Sequence, residues 1–335
     1  MDPCTQGLLG ASLASSFSNK QNVKYACFCG SVGGLTPDLD VLIRSSHDSL
    51  LSVEFHRHFT HSLIFVPFLG LVVTLLLHFF IKKKVPLKQI YLFSTLGVFT
   101  HGLLDACTSY GTSIFWPFYN NRVSLNIISI VDPVYTVLLL VFLISSILKK
   151  SPFLSRIAIV VTSSYLLFGF FQYKKLEFFI INTAMDRGHN IERILLNPTV
   201  GNNILWRTIY QSKGFYYIGA ARLPVFSRIT YKDGEKIKVI NENQVFPEIG
   251  KNSVQRNDIK RFSHFSQGFI YIHPDYENVI ADLRYGTLPY DYKSMWGIEV
   301  DKNNLNQHVK FKNLRNFTDQ HYKEFWNLLI GNLQN

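Results

Sequence analysis

Residues 56–81 read HRHFTHSLIFVPFLGLVVTLLLHFFI: three imidazoles and a guanidinium, followed at once by an apolar run. From Ser62 to Ile81 that run holds no Asp, Glu, Lys or Arg. Its length falls within the ~17–25 residues a helix needs to cross a bilayer. Working outward, 133–148 and 153–171 have a similar apolar texture, and 89–108 does too, though His101 and Asp105 interrupt it. Two weaker segments, 8–17 and 23–35, are rich in Gly, Ala and Ser. They are short for independent spans but suited to close helix packing.

The 335 residues are 47% hydrophobic, an ordinary figure with an uneven distribution. Nearly all long apolar runs precede Phe171; the remainder is polar, aromatic and Asn-rich. The expected fold is an integral membrane α-helical bundle of about four to six segments over 1–175. A connecting helix over 176–196 and an extramembrane α+β domain over 197–335 would follow. In that domain FYYIGAARL, FIYIHP, VIADLRYG and WGIEVD read as strands, and Asp233-Gly234 reads as a hairpin turn inside RITYKDGEKIKVI. DQHYKEFWNLLIGNL, 319–333, reads as an amphipathic closing helix.

A formal charge of +11 ordinarily points toward nucleic acid. Here the lysines of the first half sit in short clusters between apolar runs: Lys20 and Lys24, then Lys82, Lys83, Lys84 and Lys88, then Lys149, Lys150 and Arg156. That is a topology signal, because basic short loops favour the cytoplasm. It assigns the protein to the cell (inner) membrane as a multi-pass chain. It sends 36–60, 110–131 and everything after 171 to the outer, periplasmic or extracellular face, and makes nucleic acid an unlikely partner. The N-terminus lacks the basic region and cleavage site of a removable signal peptide. Cys4, Cys27, Cys29 and Cys107 form no CxxC pair and read as buried thiols.

A charged group at the centre of a spanning helix is costly and tends to mark a functional site. The first half holds Asp38 and Asp40 in GGLTPDLD, then His56, Arg57, His58 and His61, then His101 and Asp105 in HGLLDACTSYGT, with Arg122 and Asp132 beyond. His101 and Asp105 are four apart and share one helix face. His56 and His61 converge if His56 lies in the loop entering the span. Asp38 and Asp40 alternate in a turning or extended stretch after Pro37. Asp38, Asp40, His56, His61, His101 and Asp105 are thus candidates to hold a divalent ion, and the mixed His/carboxylate set suits zinc, with manganese or another divalent ion as the alternative. Asp38 would orient water, and Arg57 and Arg122 would neutralise phosphate oxygens. Structural roles compete: Asp132 before Pro133 looks like a helix cap, His58 an interfacial ring, and Arg57 a headgroup-level arginine.

With MDPCTQGLLGA, GGLTPDLDVL, HRHFTHS, HGLLDACTSYGT and RVSLNIISIVDP in this order, the chain resembles the YdjM-like family of membrane-bound, metal-dependent hydrolases. NNILWR and ADLRYG carry a looser likeness to its longer members. The resemblance extends distantly to zinc-dependent phospholipase C and the single-strand nucleases of its fold. It implies Asp40, His56, His61, His101 and Asp105 as ligands, with Asp38 close behind and Asp2 as another carboxylate. Many members carry a histidine where this chain has Gln6, and a glycine where it has His58.

The expected function is hydrolysis of a phosphate ester by metal-activated water at the outer membrane surface, on a phospholipid or lipid-linked substrate. Two competing readings are a metal-ion or proton transporter, which needs polar residues along several spans, and a non-enzymatic membrane scaffold.

Overall fold

The computed structural model describes residues 1–332; Leu333, the last residue of the expected closing helix, lies outside them. Two compact units partition the chain. The first comprises residues 1–43, 55–171 and 200–202; the second comprises 44–54, 172–199 and 203 onward.

The first unit is helical. Asp2 caps α1 (Pro3–Ser16) by accepting the Thr5 N–H, so Asp2 is a helix cap and not a free carboxylate. Helix α2 (Val23–Leu35) runs into a 3₁₀ turn (Thr36–Leu42). The short α3 (Leu51–Phe55) precedes a 3₁₀ turn over Phe59–His61. Then come α4 (Val66–Ile81), α5 (Leu87–Ala106), α6 (Pro133–Leu148) and α7 (Pro152–Asp186). Asp132 caps α6 through the Tyr135 N–H and accepts the Tyr165 hydroxyl, the structural role its place before Pro133 predicts. Helices α1, α2 and α5 approach closely because glycines meet at their crossing. A Cβ on Gly97 would stand 2.2 Å from the Gly30 carbonyl oxygen, so no side chain fits there. Two stretches, Leu63–Ile81 and Pro152–Asp186, are long and apolar enough to cross a membrane, and Pro133–Leu148 is a shorter apolar helix. All four cysteines are free; Cys27 and Cys29 are buried, but Cys4 is exposed on the first turn of α1, against expectation.

Helix α7 continues without a break through Asp186, so of the connecting helix expected over 176–196 only 176–186 is helical, as the end of a 35-residue helix, and β1 begins at Arg193. The second unit is a layered β domain. Strands β1 (Arg193–Pro198), β2 (Leu205–Ser212), β3 (Phe215–Arg222) and β4 (Thr230–Lys238) form one antiparallel sheet. Strands β5 (Ile270–Ile272), β6 (Val279–Asp282), β7 (Trp296–Glu299) and β8 (Lys310–Asn313) form another, joined by α8 (Val254–Phe265) and closed by α9 (Asp319–Ile330). Strand alternation explains the layering. Leu196, Trp206, Tyr210 and Ala221 pack on Leu176, Ile180 and Ala184 of α7. Their neighbours Leu195, Ile209, Tyr216 and Ile218 pack on Phe269, Tyr271, Ala281 and Leu283. Strands β1 to β3 are thus buried on both faces.

Asp233-Gly234 does not turn the chain. It lies within β4 at a register shift opposite β3, where a Cβ on Gly234 would stand 1.9 Å from the Tyr290 carbonyl oxygen. The glycine serves close approach, not reversal. NNILWR and ADLRYG are structural: Arg207 donates to the carbonyls of Leu283, Leu288, Pro289 and Asp291. Arg284 pairs with Asp282 at 2.8 Å, both side chains buried.

Candidate metal centre

Three stretches far apart in sequence converge within the first unit. On α5, His101 and Asp105 stand one turn apart, His101 Nε2 3.7 Å from Asp105 Oδ2. The 3₁₀ turn over Phe59–His61 brings His61 Nε2 to 3.4 Å from Asp105 Oδ2 and 3.5 Å from Asp38 Oδ1. Asp38 Oδ1 lies 3.3 Å from His101 Nε2. For tetrahedral zinc with ~2.0–2.1 Å bonds, neighbouring donors lie roughly 3.3 Å apart. The four residues offer donor atoms that all lie within 4.8 Å of one another.

Two observations test whether a cation fits. His61 Nε2, His101 Nε2 and Asp105 Oδ2 are buried and make no well-aligned hydrogen bond. Buried polar atoms rarely go unsatisfied; Asp105 Oδ2 has Arg57 Nε 3.0 Å away, and the two imidazole nitrogens that converge beside it and Asp38 are what a cation would satisfy. The second observation is how the imidazoles are held. His101 Nδ1 donates to the Gly34 carbonyl at 2.5 Å, which fixes the tautomer and turns the Nε2 lone pair inward. His61 Nδ1 faces Thr60 Oγ1 at 3.0 Å and Asp40 Oδ2 at 3.2 Å. Each ring is anchored on its far side. Gly102 seats the 3₁₀ turn on α5, since a Cβ there would lie 2.3 Å from the His61 carbonyl oxygen.

Asp38 and Asp40 take different places from those expected. Alternate residues share a face only in an extended chain, and 36–42 is 3₁₀, three residues to the turn. Asp38 therefore points to the His61–His101–Asp105 set and Asp40 away from it. Asp40 accepts the Arg57 N–H at 3.0 Å, the Thr60 hydroxyl at 2.8 Å and faces His56 Nδ1 at 2.8 Å. Asp38, Asp40 and His56 form a second set with ligand spacing, sharing Asp38 with the first. Burial alone would raise the Asp38 carboxyl, but the His101 and His61 imidazoles beside it outweigh burial and hold it well below the usual carboxylate range. Asp40 is held low against burial in the same way by His56 and His61. Burial would lower His61, yet Asp105, Asp38 and Asp40 push it up to about 9.

Arg57 is buried, with φ of 62° in the left-handed region that a non-glycine residue adopts only when held there. Its N–H on Asp40 and its carbonyl, accepting the Ser113 N–H at 3.0 Å, hold it. Arg57 Nε lies 3.0 Å from Asp105 Oδ2, and Nη1 donates to Thr108. Arg122 stands one ring away: its Cζ is 5.9 Å from the Tyr110 ring centre, over which Arg57 Cζ sits at 4.7 Å. His58 packs among Phe55, Phe59 and Trp116, an aromatic position.

Sequence reasoning missed two groups. Gln6 Nε2 donates to Asp105 Oδ1 at 2.9 Å, and the Met1 ammonium also binds that oxygen. No side-chain pattern announces an amino group; for Gln6 the available signal was the resemblance, which places a histidine at that position in many members.

The sequence profile of the YdjM inner membrane protein family matches residues 1–176, the whole of the ligand-bearing region, and the chain belongs to that family. It is 21% identical over 248 residues to the uncharacterized protein YfhP of Bacillus subtilis (strain 168), covering 71% of this chain and 74% of that one. It is 34% identical over 99 residues to the inner membrane protein YbcI of Escherichia coli (strain K12), covering 28% of this chain and 55% of that one. No solved structure matches.

Proposed function

We propose that this member of the YdjM family is a multi-pass membrane hydrolase whose divalent cation, zinc by its donor set, is held by Asp38, His61, His101 and Asp105. The observation that carries the reading is a set of three buried atoms without aligned hydrogen bonds, His61 Nε2, His101 Nε2 and Asp105 Oδ2, aimed at one point beside Asp38. Asp38 is the most exposed of the four, its side chain 22% accessible, and is the ligand facing the approach to the site. A bound cation of this kind acts as a Lewis acid and lowers the pKa of water. Around it, Arg57 offers a charge-assisted contact to a phosphate oxygen. The Asp40–His56 pair, with His56 24% accessible, stands where a proton from water is received and passed to solvent. This reassigns Asp38 from orienting water to ligation, and Asp40 and His56 from ligation to support and proton transfer. A second ion in the Asp38–Asp40–His56 set would use Asp38 as its shared ligand.

In the same proposal α4, α6 and the first half of α7 face lipid. Phe68, Leu71, Leu75, Val137, Val141 and Val160 are exposed along them. Helices α1, α2 and α5 sit inside, making six embedded segments. The basic clusters then lie in the cytoplasm and the site opens outward at headgroup level, where a phospholipid or lipid-linked phosphate ester is the substrate. The transporter reading draws less support. Among the described residues of α6 and of α7 up to Phe171 there is no carboxylate or imidazole for an ion path, and buried Ser146, Ser155 and Thr162 bond one another or backbone carbonyls.

The test is metal content and turnover of purified wild type and the His101→Ala/Asp105→Ala variant in detergent, with phosphomonoester and phosphodiester probes. Wild type is expected to carry stoichiometric metal and hydrolyse one probe class, and the variant to do neither. Equal metal in both overturns the ligand assignment; metal without turnover of any ester overturns the hydrolase.

A further inference from the structure

The family profile ends at residue 176 and leaves the β domain without a role. A segment of the ligand-bearing half belongs to that domain. Residues 44–54 fall in the second unit, whereas 43 and 55, which they join, fall in the first. This eleven-residue strap links the turn carrying Asp38 and Asp40 to the loop carrying His56 and His61.

We infer that Arg261 is a positioning residue for the metal centre, clasping the strap at its middle and at its C-terminal end and thereby restraining the ligand-bearing segments it connects. The inference rests on the metal reading above. Arg261 Nη2 donates to Asp48 Oδ2 at 2.8 Å, and its Nε and Nη2 donate to Glu54 Oε2 at 2.8 and 2.6 Å. Its Nη1 donates to Asp258 on the preceding turn of α8 at 2.8 Å. One planar guanidinium thus holds three carboxylates, a geometry lysine does not reproduce. Between the two clasped residues, Ser49 Oγ donates to the Val309 carbonyl at 2.7 Å and accepts the Phe311 N–H at 3.1 Å, laying the strap along β8. Asp258 also accepts the Val309 N–H, and His308 Nδ1 lies 2.9 Å from it, so helix, strand and strap share one polar knot. Buried Ile259, Phe262 and Phe265 root α8 beneath it.

Asp48, Asp258 and His308 themselves have metal-ligand spacing, but Arg261 supplies the positive charge among them, which makes the cluster a clasp. Its reach follows from chain connectivity. Glu54 is two residues from His56, and Asp48 eight from Asp40. Metal ligands tolerate only about 0.2 Å of displacement, and a free strap of this length would let its ends move by far more. Fixing it removes that freedom before the cation arrives.

Full-length wild type, Arg261→Ala, Arg261→Lys and Asp48→Asn/Glu54→Gln are titrated with zinc against a chromophoric chelator. Hydrogen exchange is followed in the metal-free proteins over 36–61, with 205–222 as the internal control for domain folding. Arg261→Ala and Asp48→Asn/Glu54→Gln are expected to bind zinc about 10–100-fold more weakly, the range for residues that orient ligands. Arg261→Lys should recover part of the loss. Exchange should quicken over 36–61 and stay unchanged over 205–222. Unchanged affinity together with unchanged exchange over 36–61 in both loss variants overturns the clasp. If wild type itself binds no zinc, the metal reading falls and the exchange comparison alone decides the strap. Should Arg261→Ala lose protection over 205–222, the same two readouts on Asp48→Asn/Glu54→Gln, which leaves α8 intact, decide for or against the clasp.

Discussion

Replacing Gly102 by alanine adds one methyl group, on the helix that carries both His101 and Asp105. The added Cβ would lie 2.3 Å from the His61 carbonyl oxygen and 3.3 Å from its carbon. Real Cβ contacts stay beyond 3.0 Å, so the His61 backbone must retreat by about 0.7 Å. Both contacts are backbone, which has no rotamer to give. Ligand positions tolerate about 0.2 Å, so the retreat exceeds the tolerance several-fold and withdraws His61 Nε2 from His101 and Asp105. The expected loss of zinc affinity is at least the ~10–100-fold seen when ligand orientation is disturbed. Overpacking of this kind also costs about 1–3 kcal/mol of stability. The control is Gly297→Ala, whose Cβ meets the Ile280 carbonyl oxygen at 2.6 Å, a similar backbone insult within the β domain, which carries no proposed ligand. Zinc titration and detergent unfolding are run on both. Gly297→Ala should lose stability and keep its zinc affinity, whereas Gly102→Ala should lose both. Wild-type affinity in Gly102→Ala would refute the seating of His61 on α5.

Other perturbations separate the remaining roles. Arg57→Lys removes the fork that reaches Asp105 and Thr108 while keeping a positive charge; turnover should fall about 10²–10³-fold with metal retained, read by single-turnover hydrolysis. Asp132→Ala deletes the α6 cap and the partner of the Tyr165 hydroxyl. About 2 kcal/mol of stability should go, with metal content unchanged. Acid should release the strap: burial alone would raise the Asp48 carboxyl, but its bonds to Arg261 and the Leu50 amide hold it below the usual carboxylate range. An acid depressed in the folded state contributes its stability above the ordinary value near ~3.9 and loses it as pH falls through the lower folded one. Protection over 44–54, taken relative to the intrinsic exchange rate at each pH, should therefore fall only on acidification below about pH 4 and stay flat from there to neutrality.

The ligand chemistry of α5 was legible because helical periodicity is local: residues four apart share a face whatever surrounds them. His101 and Asp105 follow that rule. The cap at Asp132 was legible for the same reason, since Asp-Pro at a helix start is a short-range signal. Asp38 and Asp40 were not separable, because the choice between extended and 3₁₀ backbone over 36–42 is made by packing, and it decides which carboxylate faces the imidazoles. Asp233-Gly234 has the composition of a turn, yet β4 runs through it, where the glycine admits the Tyr290 carbonyl. In each miss a local preference was outweighed by a neighbour distant in sequence.

Composition and short-range periodicity are properties the chain carries before it folds. They were enough for the apolar segments, the order of the motif-bearing stretches, the imidazole and carboxylate inventory, and a β-rich region after them. Packing in three dimensions was needed to show that Asp38, His61, His101 and Asp105 share one point, that Asp40 braces the rings, that Met1 and Gln6 reach Asp105, and that 44–54 is held by Arg261. Each of those is a meeting between residues separated along the chain, fixed by glycine contacts, 3₁₀ turns and buried hydrogen bonds whose geometry exists only once the helices and sheets are packed.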